Sequence, residues 1–172
     1  MCSINAWPMP CTAPPSSWPN GCHVSEVEVD PATGTVEVVR YSSVNDIGRV
    51  VNHAIVRGQL DGGAVQGIGQ ALMEHMVYDR ESGQPVTGSL MDYSAPRMDV
   101  VACDFVTTMN ETVPCKNNPL GVKGVGELGT IGAAPSVVNA VADALARAGK
   151  TQAAASLQMP LTPPKVWDLL NS

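Results

Sequence analysis

Aromatic side chains are scarce in this sequence, and so is charge. Phe, Trp and Tyr make up 4% of the 172 residues, and Asp, Glu, Lys and Arg 15%. The core must therefore be built from Val, Ala, Leu, Ile and Met. So few charges leave little to solvate a surface, which suggests that part of the surface is covered by another chain or domain. No basic run with interleaved aromatics is present, and the net charge is −6. Both features argue against nucleic acid or an anionic membrane as the main partner. No apolar run reaches the length of a membrane span. The N-terminus lacks the basic region and apolar core of a secretory signal. The expectation is a cytoplasmic protein.

Metal-ligand spacing is missing as well. The five cysteines (Cys2, Cys11, Cys22, Cys103 and Cys115) are odd in number and irregularly spaced, and none forms a Cys-x-x-Cys pair. That is a poor disulfide framework. His23, His53 and His75 share no ligand spacing with them, so no metal held by protein side chains is expected.

What remains is a globular composition, 44% hydrophobic, at a length that suits one domain. Residues 1–16 carry Pro8, Pro10, Pro14 and Pro15 and read as an irregular arm, because proline breaks both helices and central strands. Residues 17–172 form the expected domain. Residues 24–29 alternate, with Glu26 and Glu28 on one side and Val27 and Val29 on the other. The turn chemistry of Asp30-Pro31-Ala32-Thr33-Gly34 and the β-branched residues 35–41 complete a predicted hairpin. Further strands are predicted at 76–79 and 100–109.

Two helices are predicted around glycine-rich stretches. The first starts with Asp61 as its cap and buries Val65, Ile68 and Leu72. It contains Gly62, Gly63, Gly67 and Gly69, each costing roughly 0.5–1 kcal/mol against alanine in a helix interior. Either a tight helix–sheet contact explains these glycines, with Gln66 solvated, or Gln66 and the adjacent backbone of Gly67 line a ligand site. The second helix covers residues 136–148 and stops at Gly149. A short helix follows Thr162 and Pro163. Strands and helices mix without regular βαβ alternation, so the fold class is α+β.

The chemistry concentrates in residues 120–135, which hold five glycines and one acid, Glu127. Read as a loop running into a helix start, this stretch offers close backbone approach, unpaired N–H groups and the positive end of a dipole. It could wrap an anionic ligand and aim one carboxylate at it. Gly124-Val125-Gly126-Glu127-Leu128-Gly129 formally matches G-x-G-x-x-G. However, Asn117-Asn118-Pro119 precedes it where a dinucleotide fold needs a strand, and no acid follows at a strand end about 20 residues later. Burial would raise the carboxyl pKa of Glu127 and suit it as a general base. The alternative is an exposed loop glutamate.

Residues 118–132, from Asn118-Pro119-Leu120-Gly121 through Lys123 and Gly126-Glu127 to Ile131-Gly132, resemble a signature of the molybdenum-cofactor subunit of the xanthine dehydrogenase / aldehyde oxidase / carbon monoxide dehydrogenase family. Trp18-Pro19-Asn20-Gly21-Cys22-His23-Val24, residues 58–72, Gly88-Ser89-Leu90-Met91-Asp92-Tyr93 and Met159-Pro160-Leu161-Thr162-Pro163 are similar to the same family in the same order. The likeness runs over residues 12–170. It implies a second molybdopterin-binding domain type of fold. It also implies hydroxylation of an aldehyde or N-heterocycle carbon with oxygen from water. Molybdenum is held in that family by a pterin dithiolene, often as the cytosine dinucleotide in bacteria. Glu127 maps to the family's general base. Gln66, Gly67, Gly124, Val125 and Gly126 map to stretches beside the cofactor. Electrons would leave through [2Fe–2S] clusters and FAD on partner subunits. The chain corresponds to only the C-terminal portion of such a subunit, so the remainder of that subunit is an expected partner. His53 stands where the family often has proline, and residues 1–11 do not resemble it. A truncated, non-catalytic or partner-binding fragment is the alternative.

Overall fold

The computed structural model describes residues 17–98 and 103–172. The Pro-rich arm of residues 1–16 and residues 100–102 of the fourth predicted strand, with Val101, lie outside these residues. Strands β1 (Asn20–Val29) and β2 (Val36–Asp46) form an antiparallel hairpin. Its turn is closed by Asp30, whose carboxylate accepts from the Ala32 N–H (2.9 Å) and the Thr33 hydroxyl (2.7 Å). The expected alternation holds: Val27 and Val29 turn towards the core, and Glu26 and Glu28 face solvent. Both strands run longer than predicted. Asn45 and Asp46, expected in a polar turn, end β2 as buried residues.

Strand β3 (Asp104–Asn110) lies parallel to β2 on its far side, giving the order β1-β2-β3. A parallel pair needs a long crossover, usually helical, and α1 (His53–Leu72) lies in that connection. It starts eight residues before the predicted Asp61. Asn52 is the cap, its side chain accepting from the Ile55 N–H at 3.1 Å. Residues 50–60, which the sequence leaves ambiguous with a short helix as one reading, supply the first turns of α1 from His53 on, with Ile55 64% exposed. Asp61 instead sits within the helix and accepts from the Thr107 hydroxyl and from Arg57 (3.2 Å).

Helix α2 (Leu128–Arg147) also starts eight residues earlier than predicted. Leu128 to Pro135, read as loop because of Gly129, Gly132 and Pro135, is helical. Two of these glycines answer to contacts rather than to a loop. A Cβ on Gly129 would stand 2.3 Å from the Leu60 carbonyl oxygen, and one on Gly132 would strike the His23 ring. The helix is apolar and long enough to cross a membrane by length and composition. Here its Val137, Val141 and Leu145 are buried in the core with Tyr41, Ile68, Leu161 and Val166. The short α3 (Thr151–Ala154) was not predicted, whereas α4 (Pro163–Asn171) begins after Thr162 with Pro163 at its first position, as expected. The predicted strand at 76–79 amounts to a single bridge between Tyr78 and Pro85. Mixed strands and helices around one core make the fold α+β, as the sequence indicates.

Candidate functional site

The segment before Glu127 is stitched to the end of β2. Gly121, at φ +70°, turns its carbonyl so that it accepts from both Arg49 N–H and Cys115 N–H (2.9 Å each). Left-handed backbone of this kind is cheap only for glycine. The Asn118 side chain holds Val122 from both sides, donating to its carbonyl (2.9 Å) and accepting from its N–H (3.1 Å). The Lys123 N–H donates to the Ile47 carbonyl at 2.9 Å. The Lys123 ammonium meets the Asp46 carboxylate at 2.7 Å, with the two side chains only 9% and 11% exposed. This ion pair holds the Asp46 carboxyl below the usual carboxylate range, helped by the Gly48 N–H.

Beyond Lys123 the ties to residues 47–49 stop, and the chain is next held where the Val125 carbonyl accepts from the Leu128 N–H at 3.3 Å. Among the described residues, the N–H groups of Gly124, Val125 and Gly126 have no backbone partner. A Cβ on Gly124 or Gly126 would meet open space. These residues, with Glu127, Leu128, Ile131 and Gly132, form one side of a cleft of about 660 Å³. The other side comes from residues 17–21 and His23. Glu127 occupies the cap position of α2 but makes no capping hydrogen bond with its side chain. The expected desolvation is not met within this chain: Glu127 is exposed, because it sits at the open lip where free loop meets helix.

His23 closes the floor. Its Nδ1 lies 2.5 Å from the Tyr41 hydroxyl and its Nε2 3.1 Å from Asn45 Oδ1. An amide oxygen only accepts, so Nε2 carries the proton and Nδ1 accepts from Tyr41. The Asn45 amide nitrogen in turn donates to Ser43 Oγ at 2.9 Å, which fixes which way the amide points. Burial lowers the His23 pKa, partly opposed by the Asn45 hydrogen bond, and pushes the Tyr41 phenol up. The neutral ring is thus the form this site favours.

The structure gathers four of the six predicted site residues, Gly124, Val125, Gly126 and Glu127, on one cleft wall. Gln66 and Gly67 do not line that cleft. Gly67 is buried in a helix–helix contact, where a Cβ would stand 2.6 Å from Ala133 Cβ. Gln66 is exposed and accepts from the Thr130 hydroxyl at 3.2 Å. Gly63 and Gly67 therefore serve a tight contact, though with α2 rather than with a sheet, while Gly69 abuts Pro96 and Gly62 meets nothing within 4 Å. Sequence reasoning missed His23 and Asn45 at the floor and the Asp46–Lys123 pair beneath the loop. No local pattern links residues 77 positions apart.

A profile of the molybdopterin cofactor-binding domain family matches residues 6–102. The chain is 45% identical over 147 residues to the nicotine 6-hydroxylase large subunit of Paenarthrobacter nicotinovorans, covering 86% of this chain and 17% of that one. It is 41% identical over 154 residues to the 6-hydroxypseudooxynicotine dehydrogenase complex subunit gamma of the same organism, covering 88% and 18%. Among solved structures, quinoline 2-oxidoreductase from Pseudomonas putida 86 superposes with a TM-score of 0.79 at 37% identity, covering 87% of this chain and 18% of that one. The chain thus spans less than a fifth of each of these relatives. It belongs to the molybdopterin cofactor-binding domain family and matches a portion of that family's large-subunit members.

Proposed function

We propose that this chain forms the C-terminal molybdenum-cofactor portion, residues 17–172, of a cytoplasmic hydroxylase that oxidises an aldehyde or N-heterocycle carbon with oxygen from water. Glu127 acts as the general base. The observation that carries this reading is the meeting of Gly124, Val125, Gly126 and Glu127 on one open cleft wall at the start of α2. The wall fits a pterin-held molybdenum. Two glycines leave room where side chains would intrude, three N–H groups are available to acceptors, and a helix start favours negative charge. When bound, the cofactor supplies the two-electron redox chemistry. The residues of this chain position it and move a proton. Residues 124–126 present backbone to the cofactor. Glu127 takes the proton from the water-derived oxygen, and Leu128 and Ile131 provide an apolar border against bulk water. Relatives named for nicotine and quinoline support the N-heterocycle arm over the aldehyde. Gln66 acts from behind, through its contact with Thr130 in the first turn of α2, and Gly67 through the helix contact. The opposite side of the site comes from the remainder of the molybdenum subunit. Iron–sulfur and FAD subunits carry the electrons away, and the cofactor is the cytosine dinucleotide form.

The test replaces Glu127 by Gln in the complete enzyme. Turnover should fall roughly 10²–10⁴-fold, the range for loss of a general base, with molybdenum and pterin content unchanged. Full turnover at normal cofactor content would overturn the assignment and favour a non-catalytic, partner-binding domain.

A further inference from the structure

The buried Asp46–Lys123 pair lies at the boundary between anchored and free loop. Residues 121–123 are tied to residues 47–49 by the Gly121 carbonyl, a bridge between Gly48 and Val122, and the Lys123 N–H. From Gly124 to Gly126 no such tie exists among the described residues. Lys123 is therefore the last fixed point before Glu127, four residues on. Its ammonium is not needed to solvate a surface, since the side chain is 9% exposed. An ammonium desolvated this far persists only when paired, and its partner is held in turn. Asp46 Oδ1 accepts from the Gly48 N–H at 3.0 Å. Its Oδ2 accepts from Lys123 at 2.7 Å and from the Asn20 side chain at 3.4 Å. Asn20 lines the facing wall of the cleft. One carboxylate thus touches the root of the Glu127 loop and the opposite wall.

We infer that Asp46 and Lys123 are positioning residues: their ion pair sets where residues 124–127 leave the sheet, and so fixes the distance between Glu127 and the facing wall at Asn20. The inference rests on the reading of Glu127 as the base. The far end of the loop is held by α2, through the Leu128 N–H on the Val125 carbonyl (3.3 Å) and the Ile131 N–H on the Glu127 carbonyl (3.1 Å), so the near end at Lys123 sets the rest of its course. Misplacement of a catalytic group by about an ångström can cost on the order of 10²-fold in rate. The pair's charge matters because the carboxylate that holds the Lys123 cation is the one that Asn20 and Gly48 also reach.

The experiment uses the complete enzyme with Lys123→Met, the double variant Asp46→Asn with Lys123→Met, Lys123→Arg, and Glu127→Gln alongside. The double variant removes both charges together, so no unpaired buried ion is left to prevent folding. Amide hydrogen exchange is followed at residues 121–123, whose N–H groups are hydrogen-bonded in the parent, and at 137–145, without substrate. In the double variant, exchange at 121–123 should rise about tenfold, the mark of local opening, while that at 137–145 stays as in the parent. Turnover should fall roughly 10–100-fold with KM and molybdenum content unchanged. Lys123→Arg should recover most of both. If exchange and turnover match the parent in the double variant, the pair is not a positioning device. If the double variant is recovered unfolded, or exchange rises equally at 137–145, the pair serves general stability and the inference fails. Normal turnover of Glu127→Gln would instead show that the base is another group, which is a separate outcome.

Discussion

His23 sits between a donor and an acceptor, and both of its ring nitrogens are used in the neutral state. Protonation would put a hydrogen on Nδ1 facing the Tyr41 hydroxyl, which then has to stop donating to it. Burial is the larger influence and lowers the His23 pKa below 6.5. The unfolded chain then binds more protons than the native one between the two values, so stability rises with pH across that window. The thermal midpoint should be steady above pH 6.5 and decline below it, until the ring titrates in the folded protein as well. His23→Gln should flatten that decline while lowering the midpoint at pH 7.5, as scanning calorimetry at a series of pH values would show. The carboxylate of Asp46 behaves similarly at lower pH. Its folded pKa is depressed by the Lys123 ion pair, so its contribution is present above its ordinary range and is lost as pH falls through the folded value. At this scale the sequence was half legible. Glu127 stands out as the sole acid in a run of glycines, and the structure places it at a cleft. His23, Asn45, Asp46 and Lys123 show nothing locally, because their meaning comes from partners on other elements.

Two helices meet with almost no side chains between them. A Cβ on Gly63 would lie 3.0 Å from Thr130 N, and on Gly67 2.6 Å from Ala133 Cβ. Gly62, in the same helix, has nothing within 4 Å. Equal substitutions should therefore have opposite signs. Gly62→Ala should stabilise the chain by about 0.5–1 kcal/mol, the usual helix-propensity gain. Gly67→Ala should destabilise it by about 1–3 kcal/mol, because an overpacked contact forces the helices apart. Denaturant unfolding midpoints would decide both, and a stabilising Gly67→Ala would contradict the contact. Glycines of the same kind in α2 explain why its start is not legible in the sequence. Glycine and proline ordinarily punctuate helices, yet Gly129 and Gly132 are chosen for what presses on them from Leu60 and His23. Tertiary contact overrode local propensity, and no single sequence states that in advance. The hairpin needed no such knowledge, since turn chemistry and alternation are local.

Over the whole molecule, the scarcity of charge noted in the sequence reappears as exposed apolar side chains. Leu90 is 82% and Met91 93% exposed, and Val24 and Val44 lie bare on the outer sheet face. Scattered exposed apolar residues are ordinary, but here they accompany a chain that spans under a fifth of its relatives. If the chain is part of a molybdenum subunit, as proposed, joining it to the remainder should cover them. A dye that fluoresces on apolar surface should bind the purified chain and lose most of that signal in the complete enzyme. Equal binding in both would show that these faces stay open.

The contact of α1 with α2 also limits what the cleft can do. Backbones that touch through glycines have no rotamers between them to exchange, and packed interiors do not deform smoothly. The pair therefore acts as a stiff bed for the cleft, with compliance confined to the short lip at residues 124–127. A ligand entering here cannot widen its seat by parting the helices. Selectivity between ligands of different size must be written on the facing side, while this side supplies a constant reference surface.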